Sequence, residues 1–186
     1  MAKAKLNPVL QTLVGALGDV VFKRNGVVSK RPVFKNRVFT PAQRQNQSRF
    51  KQGTFYVKVA KEDSVIWEAY RKAARGERGP ATAIAMSDFF NPPRVDRIDV
   101  NGYDGSAGGT ILVHASDDFG VIRVEVTVSD GEGNMVEQGE AVQGSRSVWR
   151  YTSTVAVTPG TTLHIDATAY DRPGHSGTLR TTMQAG

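Results

Sequence analysis

The chain has no cysteine. That excludes disulfides, thiolate–zinc centres and cysteine nucleophiles, and says little about compartment. It has three histidines, His114, His164 and His175, and no two of them stand at the three- or four-residue spacing that puts two metal ligands on one helix face. Their scatter among serines and aspartates assembles no nucleophile–base triad. No stretch approaches the roughly 20 apolar residues of a membrane span. The apolar run Val9 to Leu17 is broken by Gln11 and Thr12 and lacks a small-residue cleavage site before Gly18-Asp19, so no secretory signal is expected and synthesis in the cytoplasm is. The glycines of Gly102-Tyr103-Asp104-Gly105-Ser106-Ala107-Gly108-Gly109 lie between two strand-like runs, without the helix that a phosphate loop opens into.

Acidic residues are scarce at the front. Residues 1–90 hold 17 Lys/Arg against 6 Asp/Glu, a net of +11, whereas residues 91–186 hold 7 against 12, a net of −5. Such a split predicts two bodies with different partners. The change of sign coincides with Asn91-Pro92-Pro93, where consecutive prolines end a helix and favour an extended linker. The expected domains are therefore a basic module over 1–90, a linker at 91–93 and a second domain over 94–186.

In the basic module, two β-rich runs flank Asn25-Gly26, the pair that accepts the positive φ of a tight hairpin turn. The apolar segment Leu6 to Leu17 before it reads as a strand, a short helix or an arm. Thr40-Pro41-Ala42-Gln43 predicts a helix start, with Thr40 as cap, Pro41 at the first helical position and Gln43 closing a capping box. That helix should run to about Ala60, weakened by about 1 kcal/mol at Gly53. A second helix is expected from Asp63 or Ser64 to Ala74, and a third from Ala81 to Phe90.

The second domain alternates. Ile122, Val124, Val126 and Val128 share one strand face, and Leu163, Ile165, Ala167 and Ala169 share another. Seven strands are expected, centred near residues 97, 112, 125, 138, 150, 166 and 180, separated by turn residues at 118–120, 130–133, 158–160 and 172–174. Seven short strands in about 95 residues predict a β-sandwich. The fold class expected is α+β: a β-hairpin and helices, then a seven-stranded sandwich with Trp149 and Tyr151 in its core.

Three segments carry a family likeness: Ala115-Ser116-Asp117-Asp118-Phe119-Gly120-Val121, Trp149-Arg150-Tyr151, and Ala167 to Gly177 with its Asp171-Arg172-Pro173-Gly174-His175 hairpin. Over about residues 93–186 they resemble bacterial immunoglobulin-like domains of the Big type, although His175 stands where Asn is usual. The likeness implies a sandwich used in adhesion, spacing or assembly, with no chemistry. The pattern Gly18-Asp19-Val20-Val21-Phe22, Thr40-Pro41-Ala42-Gln43, Phe50 and Trp67-x-x-Tyr70 is similar to that of short bacterial and phage-type proteins, which implies no activity.

Two candidate sites follow. Lys23, Arg24, Lys30, Arg31, Lys35, Arg37, Arg44, Arg49 and Lys51 offer a basic interaction surface for nucleic-acid phosphates, for an acidic protein face, or for solvent alone, with Phe22, Phe34 and Phe39 interleaved. Asp117, Asp118 and Asp171 fall in loops that a sandwich gathers at one end, as calcium ligands do; the competing reading is that aspartates favour turns for backbone reasons. The expectation is a non-enzymatic protein without cofactor, calcium being the one ion considered. It assembles with itself or on a particle, filament or surface such as a virion, its alternative being a nucleic-acid-binding protein.

Overall fold

The computed structural model describes residues 14–23, 27–32, 38–76, 79–145 and 147–186. The chain divides into two compact units, residues 1–45 and 46–186. The described residues are mixed α+β and mostly β, with three helices and three antiparallel sheets among them.

In the first unit, β1 (Gly15–Leu17), β2 (Val20–Phe22) and β3 (Val28–Lys30) form one small sheet in that order. The expected hairpin is β2–β3, with Phe22 opposite Val28 and the Lys23 N–H donating to the Val27 carbonyl at 2.9 Å. Its turn, residues 24–26, lies outside the described residues. Of the apolar segment 6–17, residues 15–17 are β1 and pair with β2; residues 6–13 lie outside the described residues.

Three helices follow. Helix α1 (Pro41–Glu62) begins with the capping box read from the sequence: the Gln43 N–H donates to Thr40 Oγ1 at 3.3 Å and the Thr40 N–H to Gln43 Oε1 at 3.1 Å. Helix α2 (Ser64–Ala74) is capped by Asp63, whose Oδ1 accepts from the Val65 and Ile66 amides at 2.9 and 3.0 Å. Helix α3 is Ala81–Phe90. Gly53 is a contact point: a Cβ there would lie 2.7 Å from Met86 Sδ and 3.1 Å from Phe89 Cδ1. Its missing side chain is what lets α3 approach α1. Val57, Ala60, Tyr70, Ile84 and Ala85 form the helical core.

The rest is a sandwich. One sheet has the order β4-β5-β9-β8 and the other β11-β10-β6-β7. The strands are β4 (Arg94–Gly102), β5 (Thr110–Ser116), β6 (Arg123–Asp130), β7 (Met135–Glu140), β8 (Val142–Ser145), β9 (Val148–Thr152), β10 (Thr162–Tyr170) and β11 (Ser176–Gln184). The alternation has its expected result: Val124, Val126, Val128, Leu163, Ile165, Ala167 and Ala169 are sealed from solvent, facing Ile111, Val113, Trp149 and Tyr151 of the other sheet in one core. Ile122 departs from it, exposed just ahead of β6.

Among the described residues the sandwich has eight strands where seven are expected. Each expected centre falls in a strand; the additional one is β8, four exposed residues with no apolar periodicity. The expected linker 91–93 joins α3 to β4 inside the second unit, because α2 and α3 pack on loops of the sandwich. Cut at the structural boundary, the charge split sharpens at its basic end: residues 1–45 carry 9 Lys/Arg against 1 Asp/Glu, and residues 46–186 carry 15 against 17.

Candidate functional site

Helix α3 is almost wholly apolar, yet its buried stripe Ile84, Ala85 ends one turn on at Asp88, which is sealed from solvent. Asp88 Oδ2 accepts a hydrogen bond from the Tyr70 hydroxyl of α2. Tyr70 has one proton to give, so the 2.6 Å contact between the Tyr56 and Tyr70 hydroxyls is a donation from Tyr56. The relay Tyr56–Tyr70–Asp88 thus crosses all three helices.

Two sandwich loops complete the cluster. Between β5 and β6, Asp117 Oδ2 accepts from the Phe119 and Gly120 amides at 2.9 and 2.6 Å, and this tight turn sets the Phe119 ring 4.6 Å from that of Tyr70. Between β10 and β11, buried Asp171 accepts from the His175 amide at 2.6 Å and lies 3.1 Å from its Nδ1. The His175 ring meets Phe89 edge-on at 5.0 Å. One carboxylate oxygen each from Asp88, Asp117 and Asp171 lies within 4.8 Å of the other two.

The electrostatics follow from that crowding. Burial pushes the Asp88 carboxyl up to about 7; the Tyr70 hydrogen bond opposes this, and the neighbouring Asp117, Asp171 and Asp118 reinforce it. Burial also raises Asp171, against the pull of His175. The Tyr70 and Tyr56 hydroxyls are pushed up chiefly by burial too. Asp88 Oδ1 and Asp117 Oδ1 are shielded from water and have no hydrogen-bond partner.

Of the three aspartates singled out in the sequence, Asp117 and Asp171 meet here. Asp118 does not join them: its Oδ2 accepts from Ser87 Oγ at 2.8 Å and Asn91 Nδ2 at 3.0 Å, tying the end of α3 to the β5–β6 loop. Asp88 was missed. The signal available for it is a lone carboxylate on the core-facing stripe of an apolar helix.

The basic set divides. Arg24, Lys35 and Arg37 lie outside the described residues. Lys23, Lys30, Arg31 and Arg44 are exposed in the first unit. Arg49 and Lys51 belong to the second, where the Arg49 guanidinium sits 5.5 Å from the Phe90 ring centroid. Lys51 flanks an open apolar recess of about 540 Å³ formed with Gln52, Phe55, Tyr56, Val59 and Phe89. Phe55 is 67% exposed, and every residue from Pro41 to Gln52 of α1 is exposed. His114 contacts Arg97 and His164 contacts Thr182 on the outer faces of the sheets. No helix among the described residues is long and apolar enough to cross a membrane.

No protein-family model and no curated protein matches the chain. Several solved structures show a partial likeness, each over half of this chain. CopC from Methylosinus trichosporium OB3b is 12% identical at a TM-score of 0.38, over 50% of this chain and 91% of that one. A tetra-tandem repeat from the extending region of a large adhesion protein is 21% identical at 0.36, over 50% of this chain and 23% of that one. Bifidobacterium dentium beta-glucuronidase is 18% identical at 0.31, over 50% and 16%. The chain thus spans less than a quarter of the last two, and likenesses at these scores carry no argument about function.

Proposed function

We propose that this is a non-enzymatic structural subunit that assembles with further copies of itself, into or onto a particle, filament or surface. The observation that carries the reading is the uncovered aromatic face of α1. Phe50, Phe55 and Val59 are 56%, 67% and 46% exposed, and Phe55 and Val59 wall an apolar recess. Contiguous apolar surface of that kind marks a contact site. The occupant is a second copy. The first unit carries nine basic residues against one acidic, while residues 94–186 carry 7 Lys/Arg against 12 Asp/Glu, Asp104 and Glu132 among the exposed acids. Opposite potentials speed docking and fix its register. A contact between unlike surfaces, repeated head to tail, gives a ring or an open polymer.

The strand order supports an immunoglobulin-like sandwich in the service of that role. The order β4-β5-β9-β8 follows the A-B-E-D sheet and β6-β10-β11 the C-F-G sheet, with β7 added at the edge. A second reading, nucleic-acid binding through the first unit, rests on its nine-to-one charge. Sedimentation velocity over a salt series, with filter binding to single- and double-stranded DNA alongside, tests both. Assembly predicts oligomers at low salt that dissociate as salt rises and are abolished by Phe55→Asp. A chain that stays monomeric at low salt and high concentration overturns it. Retention of DNA that falls steeply with salt, without self-association, selects the second reading.

A further inference from the structure

We infer that Asp88, Asp117 and Asp171 form a binding site for one hard divalent cation, calcium in preference to magnesium, at the seam between the helices and the sandwich. Proximity alone does not make a site of three carboxylates. What points to a ligand is the state of their oxygens. Asp88 Oδ2 is held by Tyr70 and Asp117 Oδ2 by two amides, whereas Asp88 Oδ1, on a residue sealed from solvent, and Asp117 Oδ1 are both buried with nothing to accept from. A buried carboxylate oxygen without a partner is costly, and here two lie in one cluster.

Charge and distance agree on what fills it. Among the described residues, the ion pair these carboxylates make is with His175, through Asp171. Arg172 lies nearby, but its guanidinium stacks 4.8 Å over Phe119 and its buried Nη1 has no partner of its own. With all three carboxylates ionised, as a bound cation would hold them, and His175 protonated, the net is −2, the charge that a divalent ion cancels. Calcium sits about 2.4 Å from its oxygens, so no two ligands of one ion lie more than about 4.8 Å apart, a limit that the three oxygens here respect. Magnesium demands near-ideal octahedral order and gives up its waters reluctantly, so it is seldom held by a protein's carboxylates alone. The all-oxygen donor set is that of a hard cation. Asp117 is the half-buried member of the three, so the cluster comes nearest to solvent on its side. Because the ligands come from α3, the β5–β6 loop and the β10–β11 turn, the ion clamps helices to sandwich.

Terbium is the probe, since Tyr70 touches a proposed ligand and can sensitise its luminescence. The full chain is titrated with terbium, back-titrated with calcium and with magnesium, and melted in millimolar calcium and in EDTA. Expected are saturable luminescence with one ion per chain, displaced by calcium at concentrations at least tenfold below those of magnesium, and a Tm several degrees higher in calcium. Asp88→Asn and Asp117→Asn each abolish both effects; both keep an oxygen for the hydrogen bonds already made, and the wild-type measurements stand without them. A wild-type Tm unmoved by calcium overturns the inference, as do variants that bind terbium like the wild type. Asp88→Asn stabilising a wild type that is indifferent to calcium also overturns it, and shows that a proton occupies the place assigned to the ion.

Discussion

Gly177 of β11 lies directly against the chain at the start of β4. It pairs with Ala169 in the β10–β11 ladder, and a Cβ built on it would stand 2.1 Å from the Pro93 carbonyl oxygen and 3.0 Å from Arg94 Cα. These are backbone atoms at the start of β4, so no side chain can swing aside. Glycine inside a strand often marks such an approach. Gly177→Ala must push the chain at 93–94 away from β11. Overpacking costs about 1–3 kcal/mol, and rigid backbone puts this site at the upper end, about 3. Reduced freedom of the unfolded chain returns up to about 1 kcal/mol, leaving a loss of roughly 2 kcal/mol or more. For a chain of this size that lowers Tm by roughly 4–8 °C. The assay is thermal unfolding followed by near-ultraviolet circular dichroism. Gly144→Ala is the control: its Cβ would sit 3.5 Å from the Val148 carbonyl oxygen, an ordinary contact, and its effect should stay within about 0.5 kcal/mol. If Gly177→Ala melts with Gly144→Ala, the backbone approach at Pro93 is not what holds β4 against β11.

Two more outcomes follow from buried polar groups. Glu137 is buried, which alone would raise its carboxyl, but donation from Ser153 and from the amide and hydroxyl of Thr154 holds it below the usual range. A depressed pKa means stabilisation that is present above the ordinary glutamate value and lost as pH falls through the folded one. Glu137→Gln should therefore cost about 2 kcal/mol at neutral pH by urea unfolding, with a gap to wild type that closes in acid. Tyr70→Phe leaves Asp88 Oδ2 without its donor and should cost about 2 kcal/mol, against about 1 or less for Tyr56→Phe, which keeps that bond. The reverse order in chemical denaturation refutes the direction of the relay.

Local signals were legible in the sequence. Thr40 with Gln43 marked the start of α1, Asp63 that of α2, and two-residue alternation marked β6 and β10, because caps and strand faces are decided by residues a few positions apart. What was illegible depends on distant approach. Strand β8 has no buried face to print a pattern on Val142–Ser145. Gly53 reads as a weak helix position until Met86 and Phe89 are seen against it. The carboxylate cluster joins positions 88, 117 and 171; its loop members stood out as turn aspartates, but the helical member is invisible until α3 is docked. The division at 91–93 followed composition, whereas the contacts that bind α2 and α3 to the sandwich run from Tyr70 to Phe119, from Ser87 to Asp118 and from Phe89 to His175.

Tyr70 against Phe119 and Phe89 against His175 bear on how this sandwich can be inherited. A freely tandem module must be finished at both ends before it meets its neighbours. Here one end is finished only by helices earlier in the same chain, so duplication or exchange of residues 94–186 alone would strand an aromatic and acidic surface. Recombination that preserves the protein must carry the helices along, and unfolding of the two layers should be a single cooperative event.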